Sequence, residues 1–200
     1  MLYAVLKPLV WLLFRACYRL RVRGARNVPP SGAVVLASNH QSFLDPLIIG
    51  VGCGRPVWFM ARDTLFRNGV FAWVIRRLHA FPVRRGGADR DALREALSLL
   101  AGGQAVLVFP EGSRTADGRI GSVRRGPVLL AQRAAAPIVP VVISGAFQVW
   151  PRQRSLPKLW GRMRLRFGEQ ILPPIGGGRD AYERVRAEIQ RKLEEMMNDE

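Results

Sequence analysis

Lysine, histidine and cysteine are all scarce in this 200-residue chain, and each scarcity closes off a class of function. The only cysteines, Cys17 and Cys53, offer neither a disulfide framework nor a CxxC metal pair, and such usage fits a reducing, cytosolic setting. The only histidines, His40 and His79, lie far apart and outside any ligand cluster, so no zinc site is expected. Acidic residues are also few, 15 against 31 basic, which leaves a net charge of +16. A long hydrophobic run is missing as well. The N-terminal stretch MLYAVLKPLVWLLFRACYRLRVRG is interrupted by Lys7-Pro8 and again by Arg15 and Arg19. Its uncharged runs fall short of the ~18 residues that a spanning helix needs. No small-residue cleavage site follows, so a secretory signal is not expected. Internal repeats, low-complexity tracts and long linkers are absent too.

What remains is the composition of a folded protein. An apolar share of 48% supports one globular domain with a full core. The charge calls for an anionic partner: nucleic acid, a lipid surface or a phosphorylated substrate. Three of the 31 basic residues are lysine, so 28 are arginine. Arginine grips phosphate through two parallel hydrogen bonds, although genome base composition accounts for most of the ratio. The arginines are spread along the chain and no nucleic-acid motif accompanies them, so no nucleic-acid partner is expected.

Residues 1–19 read as a helix with Lys7, Arg15 and Arg19 on one broad face and Leu, Val, Trp and Phe around the rest. Such a helix lies in a bilayer interface, its cations meeting lipid phosphates. Trp11, Phe14 and Tyr18 suit that position. Residues 20–200 then form the main folded domain. Strands are expected at 20–22, 33–37, 56–61, 81–83, 105–109, 138–143 and 163–167. Helices are expected at 70–78, 89–100, 125–135 and 180–197. The alternation predicts an α/β class, with a central mixed, mainly parallel sheet flanked by helices. Trp58, Phe71 and Trp73 read as core, and His79 as structural.

Two stretches carry the chemistry. In NHQSFLD (39–45), His40 stands five positions before Asp45, in the turn between an apolar strand and a helix opened by Pro46. A neutral imidazole held by a carboxylate is a general base near neutral pH. Asp45 before Pro46 also reads as a helix N-cap. In FPEGSRT (109–115), Glu111, Gly112 and Arg114 follow another apolar strand. Together they imply a base for a hydroxyl and a cationic pocket for an anion.

NHQSFLD resembles the H-x4-D block of the glycerolipid acyltransferase family. FPVRRGG (81–87), FPEGSRT and APIVPVVISG (136–145) resemble its second, third and fourth blocks, in family order. The resemblance covers roughly residues 20–170. It implies that His40 is the base and Asp45 its orienter. Arg85 and Arg114 would hold the acceptor's phosphate. Arg62, where family members often carry lysine, would assist the phosphate or the developing oxyanion. Glu111 would contact the glycerol-phosphate region or organise the arginines, most simply Arg114. Gly112 would let backbone approach a ligand, and Gly86 would offer an amide to an oxyanion.

The implied reaction moves a fatty acyl group from acyl-CoA or acyl carrier protein to the sn-2 hydroxyl of lysophosphatidate, giving phosphatidate. No metal and no tightly bound cofactor are implied. The implied location is the cytoplasmic face of the cell membrane, peripheral or monotopic, against an anionic surface. Another lysophospholipid or an acyl-ornithine lipid is the alternative acceptor. A non-catalytic basic module for anionic lipid or nucleic acid is the alternative of another class.

Overall fold

The computed structural model describes residues 2–84, 89–173 and 178–199. Three apolar runs make the centre of a seven-stranded sheet: β2 (Val34–Ser38), β5 (Ala105–Val108) and β6 (Ile138–Ser144), each buried at every position. Continuous burial is what strands covered on both faces require. The flanking strands are β1 (Arg21–Arg23), β3 (Val57–Arg62), β4 (Ala80–Val83) and β7 (Arg164–Phe167). Their order is β1-β7-β6-β2-β5-β3-β4. Every pairing is parallel except β6 with β7. The sheet is therefore mixed and mainly parallel, as expected.

Helices cover both faces because successive strand residues point to opposite sides. Val34 and Leu36 pack with Phe14 and Tyr18 of α1 (Leu2–Tyr18) and with Ile48 and Ile49 of α2 (Asp45–Gly52). Val35 and Ala37 pack on the other side. There they meet Leu100 of α4 (Arg90–Ala101), Leu130 of α5 (Gly126–Ala134) and Ile189 of α7 (Arg179–Asn198). The other α-helices among the described residues are α3 (Gly69–Arg77) and the short α6 (Ala146–Val149).

This wiring fixes where a site can form. Chain leaving β2 passes through α2 on one face, and chain leaving its neighbour β5 passes through α5 on the other. Diverging connections open a crevice beyond the carboxyl ends of such a strand pair. Residues 39–45 and 109–115 both lie there.

The N-terminal helix departs from its expected orientation. It runs through Pro8 without a break. Phe14 and Tyr18 are buried in the core rather than offered to an interface, and Lys7 Nζ donates to the Cys53 carbonyl at 2.7 Å. The outward face is apolar: Val5, Leu9, Leu12 and Leu13 are exposed. Phe71 and Trp73, expected in the core, are exposed on α3 as well. Among the described residues, no helix is long and apolar enough to cross a membrane.

Candidate active site

Asp45 is the hub of the turn after β2. It is fully buried, and its Oδ2 accepts from His40 Nδ1 at 2.7 Å and from the amides of Gln41 at 2.6 Å and Ser42 at 2.7 Å. Its Oδ1 is buried without a hydrogen bond. The sequence predicted Asp45 as the N-cap of α2, but Leu44 holds the cap position and Asp45 is the first helical residue. The reason is the tight turn of residues 39–44, which brings three donors behind the carboxylate. A negative charge in the first turn still meets the positive end of the helix dipole favourably.

Holding Nδ1–H against a carboxylate fixes the histidine tautomer and leaves Nε2 as the basic nitrogen. The side chain of His40 is 17% exposed, so it is largely packed but not sealed. One face of the ring stacks on Phe109, with centroids 3.8 Å apart and planes 14° from parallel.

The loop after β5 locks this turn from the other side. The His40 amide donates to Glu111 Oε1 at 2.8 Å, and the Thr115 amide donates to the His40 carbonyl at 2.8 Å. Glu111 Oε2 accepts from the Gly121 amide at 3.0 Å. These hydrogen bonds give Glu111 a structural part that the sequence did not indicate: it orders the backbone carrying the histidine. Burial pushes the Glu111 carboxyl up; the His40 and Gly121 amides and the nearby His40 ring pull it back, and Asp45 adds to the rise.

Arg114 is half-buried, its guanidinium 3.3 Å from the centroid of the Phe43 ring. It therefore stands over the same turn as His40. Gly112 has φ +74°, and a Cβ there would meet the Arg124 guanidinium at 3.2 Å. Its lack of a side chain thus makes room for Arg124, a role the sequence did not foresee for either residue. Arg62 ends β3, exposed, two strands from β2 on the same edge. The expected roles of Arg85 and Gly86 lie outside the described residues.

Of the residues that support the turn, Gln41 and Phe109 were not legible as such in the sequence, whereas Asn39 and Ser42 suit the shaping of a turn. Asn39 clamps the turn to β6: its Nδ2 donates to the Ile143 carbonyl at 2.9 Å and its Oδ1 accepts from the Ile143 amide at 2.8 Å. Gln41 donates to the Gly118 carbonyl at 2.9 Å. Phe109, read only as the end of a strand, supplies the stacking surface. The Ser42 hydroxyl donates to the Trp150 carbonyl at 2.8 Å.

Chemically, the cluster is a base with a free nitrogen, a buried orienting carboxylate and an adjacent guanidinium. It can take a proton from a neutral nucleophile beside a bound anion.

Comparisons with known proteins agree with the geometry. A family model described as Acyltransferase matches residues 19–144. The 1-acyl-sn-glycerol-3-phosphate acyltransferase of Bacillus subtilis is 31% identical over 153 residues, covering 76% of this chain and 73% of that protein. The alpha enzyme of the same name from Bos taurus is 36% identical over 160 residues, or 78% of this chain and 54% of its own length. A chloroplastic relative from Arabidopsis thaliana is 31% identical over 137 residues, and the chain spans only 38% of its length. Among solved structures, the 1-acyl-sn-glycerophosphate acyltransferase PlsC from Thermotoga maritima superposes with a TM-score of 0.74 at 29% identity. That match covers 89% of this chain and 72% of that one.

Proposed function

The chain belongs to the acyltransferase family, and from that premise we propose that it transfers a fatty acyl group from a thioester to the sn-2 hydroxyl of lysophosphatidate, giving phosphatidate. The observation that carries the reading is the 2.7 Å contact between His40 Nδ1 and a fully buried Asp45. It sits in the crevice beyond β2 and β5, with Arg114 over the same turn.

In this reaction His40 Nε2 takes the proton of the acceptor hydroxyl as the oxygen attacks the thioester carbonyl. The Asp45 carboxylate stabilises the imidazolium that forms. The tetrahedral intermediate collapses, the C–S bond breaks, and the imidazolium returns its proton to the departing sulfur. An ester and a free thiol result. A positioned base contributes ~10²–10⁴-fold to such a step. Asp45 plays the orienting part that a carboxylate plays in hydrolase triads, with the substrate hydroxyl in place of an enzyme serine. The donor is acyl-CoA or acyl carrier protein, and no metal or tightly bound cofactor takes part. Arg114, with Arg85 and Arg62, is assigned to the acceptor's phosphate. The protein works at the cytoplasmic face of the membrane as a peripheral or monotopic enzyme.

The test is direct. Purified protein incubated with lysophosphatidate and either donor should yield phosphatidate by mass; no product from either donor would reject the reading. Arg114→Ala should weaken lysophosphatidate more than a phosphate-free monoacylglycerol, by roughly tenfold or more, as expected for a charge-assisted contact of ~1.5–3 kcal/mol. Equal losses on both acceptors would remove Arg114 from phosphate binding.

A further inference from the structure

The segment between α6 and β7 carries features that acyl transfer does not use. Leu156, Leu159 and Trp160 stand out at 74%, 73% and 70% exposure within five residues. Isolated exposed apolar residues are ordinary, but a large cluster on one protrusion marks an interaction site. Their setting is cationic: Lys158 lies between them, and Arg152, Arg154 and Arg162 flank them. Beside them opens a cleft of about 510 Å³ lined by Arg119, Arg154 and Lys158, with Phe147 as an apolar wall and Asp117 as its one acid. Asp117 is engaged in its own turn, accepting from the Thr115 hydroxyl at 2.9 Å and the Arg119 amide at 3.0 Å.

The protrusion is built, not loose. The Lys158 amide donates to the Val149 carbonyl at 3.0 Å, and Trp150 Nε1 donates to the Arg154 carbonyl at 3.0 Å. It is also tied to α1: Tyr18 Oη donates to the Lys158 carbonyl at 3.1 Å and the Gly161 amide to the Cys17 carbonyl at 3.1 Å. Its other end meets the catalytic turn, where Ser42 Oγ bonds the Trp150 carbonyl and the Phe43 ring lies 5.0 Å from that of Trp150.

We propose that residues 151–161 dock on a bilayer of anionic phospholipid, with Leu156, Leu159 and Trp160 entering the interface and the Arg119–Arg154–Lys158 cleft seating a lipid phosphate. Apolar groups rimmed by arginine and lysine match such a surface in both polarity and charge, and tryptophan favours that depth. Because the protrusion connects α1 to the His40 turn, docking places the catalytic crevice at the lipid surface. The proposal rests on the reading of a lipid acceptor for its purpose, but its binding measurement does not depend on turnover.

The experiment is co-sedimentation of the full chain with phosphatidylcholine vesicles, with and without phosphatidylglycerol. Leu156→Ser/Leu159→Ser/Trp160→Ser should lower partitioning at least about tenfold on vesicles containing phosphatidylglycerol, given three interfacial side chains lost. Arg154→Gln/Lys158→Gln should lower it about fivefold per cation on those vesicles only, with the gap closing in high salt. Both variants should keep wild-type turnover on a short-chain acceptor that is monomeric in solution. Inorganic phosphate at millimolar concentration should not displace the protein from vesicles. Unchanged partitioning of both variants would overturn the proposal. So would displacement by inorganic phosphate, which would make the cleft a soluble-anion site. A change of oligomeric state at constant partitioning would also overturn it, by assigning the patch to a second copy of the chain.

Discussion

Three donors converge on Oδ2 of Asp45, while Oδ1 is buried without a partner. The charge of this carboxylate therefore acts through one oxygen, against the His40 ring and two amides. Asp45→Asn keeps the volume and loses the charge that steadies an imidazolium, so turnover should fall by ~10²-fold or more with acceptor binding little changed. Steady-state kinetics check this, and a raised KM at wild-type kcat would contradict it. Glu111 makes a separate, pH-dependent prediction. Its folded-state pKa lies above the ordinary 4.5, chiefly through burial. Its contribution to stability is thus fully present below pH 4.5 and declines as pH rises through the folded value. Urea midpoints of the wild type relative to Glu111→Gln should drop between pH 4 and pH 7, and a rise over that interval would refute the burial argument. At this scale the sequence revealed His40 and Asp45 because their spacing is local. It did not reveal the Phe109 stack, the Gly121 amide or the Gly112–Arg124 packing. Those depend on how the ends of β2 and β5 and the chain after them meet in space.

Between elements, the Asn39 side chain spans from the end of β2 to the end of β6 by two hydrogen bonds to the backbone of Ile143. All of these groups are buried. Asn39→Ala would leave an amide and a carbonyl of Ile143 without partners, at ~1–3 kcal/mol each. We expect a loss of about 2–5 kcal/mol in urea unfolding; a change below about 0.5 kcal/mol, ordinary for a surface substitution, would show that the clamp is dispensable. The elements themselves were legible. The apolar runs 33–37 and 138–143 read as strands and are observed at Val34–Ser38 and Ile138–Ser144, and the repeating apolar face of 89–100 read as a helix and is observed at Arg90–Ala101. Strand order was not legible, nor was the antiparallel reversal of β7, since both depend on which face each crossover takes. Helix α1 was misread in orientation. Its helical pattern was clear, but which of its apolar stripes meets α2 was decided by the docking of Phe14 and Tyr18.

Across the whole molecule, charge and exposed apolar surface act together. In the proposed membrane role, the net charge of +16 would attract the protein to an anionic bilayer, and the outward Val5, Leu9, Leu12 and Leu13 of α1 would supply apolar contact there. Deleting α1 would also strip Phe14 and Tyr18 from the core, so substitution on its outer face is the sharper probe. Leu9→Ser/Leu12→Ser/Leu13→Ser should reduce membrane partitioning at least about tenfold without shifting the melting temperature appreciably. Unchanged partitioning would take α1 out of the membrane contact.

The central claim is that a single imidazole, held by Asp45, removes the proton of a lipid hydroxyl. His40→Ala, assayed for phosphatidate formation with saturating lysophosphatidate and acyl donor, measures it most directly. Turnover should fall by ~10²–10⁴-fold while vesicle binding and the melting profile stay at wild-type values. Turnover within a few-fold of wild type would contradict the account.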